Sequence, residues 1–224
     1  MKIDALGDSA LIINLAEDVS DSSRLLARVL SAAEAIQKAK LPGVVDVTSS
    51  YESVAVFFDI TQVEPRIEDK IGALIASAGV RVPGKKRRVE IPVCYDEEFA
   101  LDLERIANHT SLTPDAIIAL HSSAEYTVAC IGFMPGFPFL AGLPQQLRVP
   151  RLKSPRTKVS AGSVAIANAQ AGVYPLESPG GWNVLGRSPL RLFRVDETPP
   201  TLLQPGDRVR FRRITRGQFE AHER

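Results

Sequence analysis

Between residues 132 and 206 every apolar run is short and is broken by proline or glycine, and this segment holds most of the chain's 16 prolines and 15 glycines. Proline inside a helix removes a backbone donor and clashes with the preceding turn. Such a stretch therefore cannot be a helical layer. Short apolar runs separated by turn residues suit a closed or sandwiched β structure.

The chain before it reads differently. Residues 2–5 and 10–15 form short strands around a Gly7-Asp8 turn. Leu25, Leu26, Val29, Leu30, Ala33 and Ile36 then recur at helical spacing over 22–38. Ser20 or Asp21 can cap the start of that helix, and Leu41-Pro42-Gly43 ends it. Val44–Thr48 and Ser53–Asp59 read as strands, and 66–78 as a second amphipathic helix stopped by Gly79. The order is ββαββα. The sequence Arg81–Arg88 (RVPGKKRR) reads as a linker, which divides the chain into an α/β domain at 1–83 and a β-rich domain at 84–224. In the second part a strand at 89–94 precedes helices near 99–108 and 113–121. The latter has Thr113 as N-cap and Pro114 at its first position. A last strand, Arg208–Ile214, turns Val209 and Phe211 inward and its arginines outward. The predicted class is α+β.

The net charge is +1, from 27 basic and 26 acidic residues. That balance argues against a nucleic-acid or membrane-surface binder, which needs a strong positive field. Cys94 and Cys130 lie far apart in apolar runs without a nearby His or Cys, so they read as free thiols and not as a zinc site. The N-terminal stretch carries charges in every short window and reads neither as a signal peptide nor as a membrane span. A cytoplasmic protein is expected.

Several short motifs do not meet the requirements of the chemistry they suggest. Gly79–Lys86 approaches a phosphate-binding loop, but Lys86 stands at the hydroxyl position, Pro83 deletes a donor, and the loop follows a helix. Gly7-Asp8-Ser9 resembles an esterase nucleophile turn, but none of the three histidines has an Asp three residues before it. Asp96-Glu97-Glu98 reads as acidic residues at a helix start. The basic run 85–88 lacks interleaved aromatics for base stacking.

The chemistry-bearing residues concentrate between His121 and Arg187. Proline and glycine together build rigid irregular loops, which suit a preorganised site on a β scaffold. Phe133, Phe137, Phe139 and Trp182 can wall such a site, and Tyr126, Ser178, Gly180 and Gly181 can contact what it binds. Arg151, Arg156 and Arg187 carry planar donor forks suited to carboxylate or phosphate. His121 can move a proton near neutrality. The candidate catalytic residues are thus His121, Arg156 and Arg187, with Arg151 and the loop and wall residues as substrate or anion contacts. Plainer readings stand beside these. His121 can simply satisfy the carbonyls of a helix end, the phenylalanines can be core, and Ser178-Pro179-Gly180-Gly181 can be only a turn.

The motifs GDSALII, GFMPGFPFLAGLP, PRLKSPR, AGSVAIA, YPLESPGGWNVLGRSP and LLQPGDRVRF together resemble one family from end to end. It comprises the B-type subunit of bacterial ATP-dependent 5-oxoprolinase, the Kip-type inhibitor of a sporulation histidine kinase, and proteins labelled allophanate hydrolase subunit 1. Ser160 and Ser188 depart from its usual Pro and Thr. The resemblance implies an N-terminal α/β domain followed by a cyclophilin-like β-barrel. It implies one component of a 5-oxoprolinase, which opens 5-oxo-L-proline to L-glutamate with ATP hydrolysis. That component is inactive without its partners, the C-type subunit (of Kip-antagonist type) and the A-type subunit. ATP is expected to bind in the complex and magnesium can accompany it; no metal site is read in this chain. Two other functions remain open: a binding module that inhibits a histidine kinase, and a piece of urea or allophanate metabolism.

Overall fold

The computed structural model describes residues 1–16, 21–79 and 87–222. The chain divides into two compact units, Met1–Lys86 and Arg87–Arg224. Residues 80–86, which hold most of the phosphate-loop-like run 79–86 and of the linker expected at 81–88, lie outside the described residues, as does Ser20. Arg87 and Arg88, expected to close that linker, are structured: Arg87 pairs with Asp207 at 2.7 Å and Arg88 opens a strand.

The first unit has the expected order: β1 (Lys2–Ala5), β2 (Ala10–Asn14), α1 (Ser22–Ala39), β3 (Val44–Ser49), β4 (Ser53–Phe58) and α2 (Ile67–Ala78). Its sheet is antiparallel, in the order β1-β2-β4-β3. Asp21 caps α1 by accepting from the Ser23 amide at 2.9 Å. The apolar stripe of α1 buries Leu25, Val29, Ala32, Ala33 and Ile36, and α2 adds Ile67, Ile71 and Ile75. Both pack with Ile13, Val47, Val54 and Val56 of the strands. Alternation along the strands is what gives the sheet this one apolar face.

The second unit contains β5 (Arg88–Cys94), α3 (Leu103–Thr110), α4 (Pro114–Ser123), β6 (Tyr126–Ile131), β7 (Pro138–Ala141), β8 (Arg156–Val159), β9 (Ser163–Ala167), β10 (Gln170–Val173), β11 (Ser178–Gly180), β12 (Asn183–Arg187), β13 (Arg208–Ile214) and α5 (Arg216–His222). Seven strands close a barrel in the order β10-β7-β6-β13-β5-β12-β9. A parallel seam joins β13 to β5, from Arg208 beside Arg88 to Ile214 beside Cys94. The strands β8 and β11 form a separate two-stranded sheet. Thr113 caps α4 as expected, accepting from the Ala116 amide. The helix α5 was not expected from the sequence. It buries a single apolar residue, Phe219, against Cys94 and Ile214, which is too little for a periodic signal.

Alternation decides which side chains fill the barrel. In β9, Val164 and Ile166 point to the interior, while Ala165 and Ala167 face outward. The interior holds Ile91, Val93, Tyr126, Val128, Leu140, Val173, Leu185, Val209 and Phe211. It is a packed core, not a channel. The outward face of β9, β10 and β12 forms a second apolar cluster, and the candidate site lies there.

Candidate functional site

Small residues make the floor. Ala165, Ala167 and Gly172 leave room on the outer barrel wall for large aromatic rings. A Cβ on Gly172 would lie 2.9 Å from the Phe137 ring. Phe137 is the hub, with edge-on contacts to Phe139 (4.9 Å), Tyr174 (5.2 Å), Trp182 (5.5 Å) and Phe133 (5.6 Å) between centroids. Phe137 and Trp182 are buried, whereas Phe133 is 67% exposed and has a left-handed backbone, φ +67°. Across the floor Gly180 of β11 approaches the Tyr174 hydroxyl so closely that no Cβ fits between them. Burial raises the Tyr174 pKa above its ordinary value. The Trp182 amide, Arg151 and Arg156 oppose that shift.

Arg151 lies over the Trp182 ring, with Cζ 5.8 Å from its centroid. Among the described residues its guanidinium has no carboxylate partner. Arg156 is different. It makes a fork-to-fork pair with Asp102, at 2.9 and 2.8 Å, and Asp102 is buried. Asp102 also accepts from the Val184 amide at 2.7 Å and donates its own amide to the Val184 carbonyl at 3.0 Å. This pair ties β8 and β12 to the start of α3. Arg156 is therefore part of a structural fork, with two of its five donors engaged on Asp102.

Arg187 is elsewhere. It ends β12, about 13 Å along the strand from Asn183 at the usual rise per residue. Its Nε donates to the Ala161 carbonyl at 2.9 Å, and its guanidinium covers Phe99 and Phe219 at 5.7 and 5.9 Å. It anchors α5 and does not join Arg151.

His121 does not join it either, which corrects the expected convergence on one cleft. The imidazole is fully buried, stacked on Phe211 at 4.4 Å and bonded through Nδ1 to the Tyr95 hydroxyl at 2.8 Å. Among the described residues Nε2 has no hydrogen-bond partner. Burial lowers its pKa to about 3, so the ring is neutral at physiological pH. The ring is packed among the barrel's core side chains, apart from Arg151. Tyr126 is likewise interior and fully buried, its hydroxyl donating to the His121 carbonyl at 3.1 Å. Burial raises the pKa of both tyrosines, Tyr95 and Tyr126.

Of the remaining expected residues, Ser178 and Gly180 lie on β11, Gly180 against Tyr174, and Gly181 is bonded to the segment that carries Arg151. Ser178 is half-buried on β11 and donates to the Pro179 carbonyl at 3.1 Å. The Gly181 carbonyl accepts from the Leu152 amide at 2.8 Å. The structure thus brings Arg151, Phe137, Ser178, Gly180, Gly181 and Trp182 to one face, keeps Arg156 at its edge in a structural pair, and separates His121, Tyr126 and Arg187 from it. Asp102, Arg105, Tyr174 and Asn183 belong to this region and were not among the expected site residues. Tyr174 and Asn183 lie within a recognised motif. Asp102 and Arg105 have no local signal, because their partners are distant in sequence.

Both cysteines are free, and burial raises the Cys130 thiol to about 11. Among the described residues no group of three or more His, Cys, Asp or Glu is placed to hold a metal ion, and no helix is long and apolar enough to cross a membrane.

This barrel with its α/β neighbour matches a known family. The family described as carboxyltransferase domain, subdomain C and D, covers residues 1–203. The chain belongs to that family. It is 39% identical to the B-type subunit of 5-oxoprolinase from Bacillus subtilis over 99% of this chain and 96% of that protein. A solved structure, TTHA0988, is 38% identical with a TM-score of 0.78 and covers 92% of this chain; this chain spans 40% of that one. The K. lactis urea amidolyase shares the fold, with a TM-score of 0.77 at 19% identity over 98% of this chain and 15% of that one.

Proposed function

We propose that this chain is the B-type subunit of an ATP-dependent 5-oxoprolinase, working in the cytoplasm with C-type and A-type partner subunits. The observation that carries this reading is the identity to a protein of that name along nearly the whole of both chains. The reaction opens the lactam of 5-oxo-L-proline to L-glutamate, consuming ATP and water and releasing ADP and phosphate. An amide is a poor electrophile. Phosphoryl transfer from ATP to its oxygen, with ADP leaving, activates the carbonyl carbon. Water adds there, the ring C–N bond breaks to free the amine, and a second water releases phosphate from the acyl phosphate so formed, while donors meet the negative charge that develops. ATP is a substrate of the assembled complex, with magnesium as its usual counter-ion.

The outer barrel face supports a role in holding the substrate. Arg151 offers a planar fork with no carboxylate partner among the described residues, the right shape for a carboxylate. Trp182 beneath it and Phe137 behind it give an apolar wall for a five-membered ring, and β11 with Ser178, Gly180 and Gly181 borders it. Proton transfer falls to water or to the partner subunits, since His121 is enclosed. The urea amidolyase likeness, at its low identity, carries fold alone.

The test is reconstitution. The chain is co-expressed with its partner subunits, purified as a complex, and assayed for ATP hydrolysis with and without 5-oxoproline. The expected result is hydrolysis that depends on 5-oxoproline and on the presence of all subunits. A stable complex that hydrolyses no ATP in response to 5-oxoproline overturns the proposal.

A further inference from the structure

Arg151 and Trp182 face one another because the segments carrying them are pinned on both sides. Before Arg151, the Pro150 carbonyl accepts from the Asn183 side-chain amide at 3.0 Å. After it, the Leu152 amide donates to the Gly181 carbonyl at 2.8 Å. Residues 181 and 183 flank Trp182, so these two bonds clamp 150–152 against 181–183 and project the two side chains onto each other. One pin is made of backbone. The other depends on which way a side-chain amide points.

Asn183 is fully buried. Its Nδ2 serves two carbonyls, Pro150 and Ile166, the latter at 3.1 Å. Its Oδ1 accepts from the Arg105 guanidinium. An amide side chain can be turned end for end, and reversal would set its oxygen against two carbonyl oxygens. The two carbonyls keep Nδ2 on Pro150, and the Arg105 donor satisfies the Oδ1 on the other side, holding the side chain in that seat. Arg105 lies three residues beyond Asp102, so both point from the same face of the first turn of α3. That turn therefore holds β12 at two consecutive residues, Asn183 through Arg105 and Val184 through Asp102.

We infer that Arg105 is a positioning residue for the Arg151–Trp182 pair, acting through Asn183 and the Pro150 carbonyl. The inference rests on the reading of this face as the substrate side. Arg105 touches no substrate. It sets the donor fork of Arg151 over the ring, so its loss weakens substrate binding more than the chemical step. A buried hydrogen bond to a charged group has about the strength of a tenfold change in an equilibrium.

The test uses Arg105→Met, which keeps the aliphatic stem and removes the donor, and Arg105→Lys, which restores one N–H donor. Trp182 is the chain's single tryptophan, so acrylamide quenching of its fluorescence in the full-length chain reports the clamp directly. Arg105→Met is expected to raise quenching several-fold and Arg105→Lys to return it towards wild type. In the complex, Arg105→Met is expected to raise KM for 5-oxoproline about tenfold with kcat within twofold, again restored by lysine. Should the methionine variant fail to fold, Arg105→Gln, whose shorter donor does not reach Asn183, takes its place with the same expectation. Unchanged quenching in a folded variant overturns the inference, as does a fall in kcat at constant KM. A wild-type complex that ignores 5-oxoproline refutes the functional reading instead, and the quenching result still decides the role of Arg105.

Discussion

The enclosed imidazole makes the folded state sensitive to acid in a calculable way. His121 has a folded-state pKa of about 3 against 6.5 when exposed. Between these values the unfolded chain binds a proton that the folded chain refuses. Stability is therefore complete above about pH 6.5, falls as the pH drops, and stops falling near pH 3. The slope is about 1.4 kcal/mol per pH unit. From pH 7 to pH 5 the loss comes to about 2 kcal/mol, since titration of the unfolded state is only beginning at pH 7. The substitution that isolates it is His121→Asn, which keeps a polar atom towards Tyr95 and cannot titrate. Removing the ring costs about 1–3 kcal/mol at pH 7 through lost packing against Phe211. Urea unfolding followed on Trp182 at pH 7, 6 and 5 reports the unit that contains both residues. The difference between wild type and variant is expected to shrink by about 2 kcal/mol over that range, while His109 and His222 cancel in the comparison. Parallel pH profiles for the two proteins, or an NMR imidazole signal that titrates near pH 6.5 and is absent from His121→Asn, would refute the buried, neutral assignment.

Other substitutions probe the scaffold around the candidate site. Asp102→Asn breaks the fork to Arg156 and is expected to cost about 2–4 kcal/mol in thermal or urea unfolding, softened because Arg156 can still turn to water. Gly172→Ala drives a methyl into the Phe137 ring and is expected to cost about 1–3 kcal/mol and to shift Trp182 emission. An unperturbed spectrum at full stability would contradict the close-packed floor. Arg187→Ala loosens α5, seen as faster amide exchange over 216–222, and is expected to leave KM for 5-oxoproline within twofold; a large rise in KM would return Arg187 to the substrate side.

Much of the fold is legible in the sequence because its signals are local. Helical spacing and the Asp21 cap mark α1, Thr113-Pro114 marks the start of α4, and the density of proline and glycine marks a β structure. Barrel closure is less legible, since β13 pairs in parallel with β5 from the far end of the second unit. The helix α5 hides because one buried phenylalanine makes no pattern. For the site, residue chemistry picks out the right region but not its division of labour. Whether an arginine is free or engaged depends on partners elsewhere in the chain. Asp102, which engages Arg156, lies 54 residues upstream. His121 shows the same limit. A histidine near a helix end reads equally as proton carrier or core, and only Tyr95 and Phe211, brought in by folding, decide for the core.

The most direct measurement is the 5-oxoproline dependence of ATP hydrolysis by the assembled complex carrying Arg151→Ala. If the guanidinium over Trp182 receives the substrate carboxylate, KM rises by about tenfold to a hundredfold, the effect of losing a charge-assisted fork, while the complex stays intact. An Arg151→Ala complex with wild-type KM and kcat would contradict the placement of the substrate on this face.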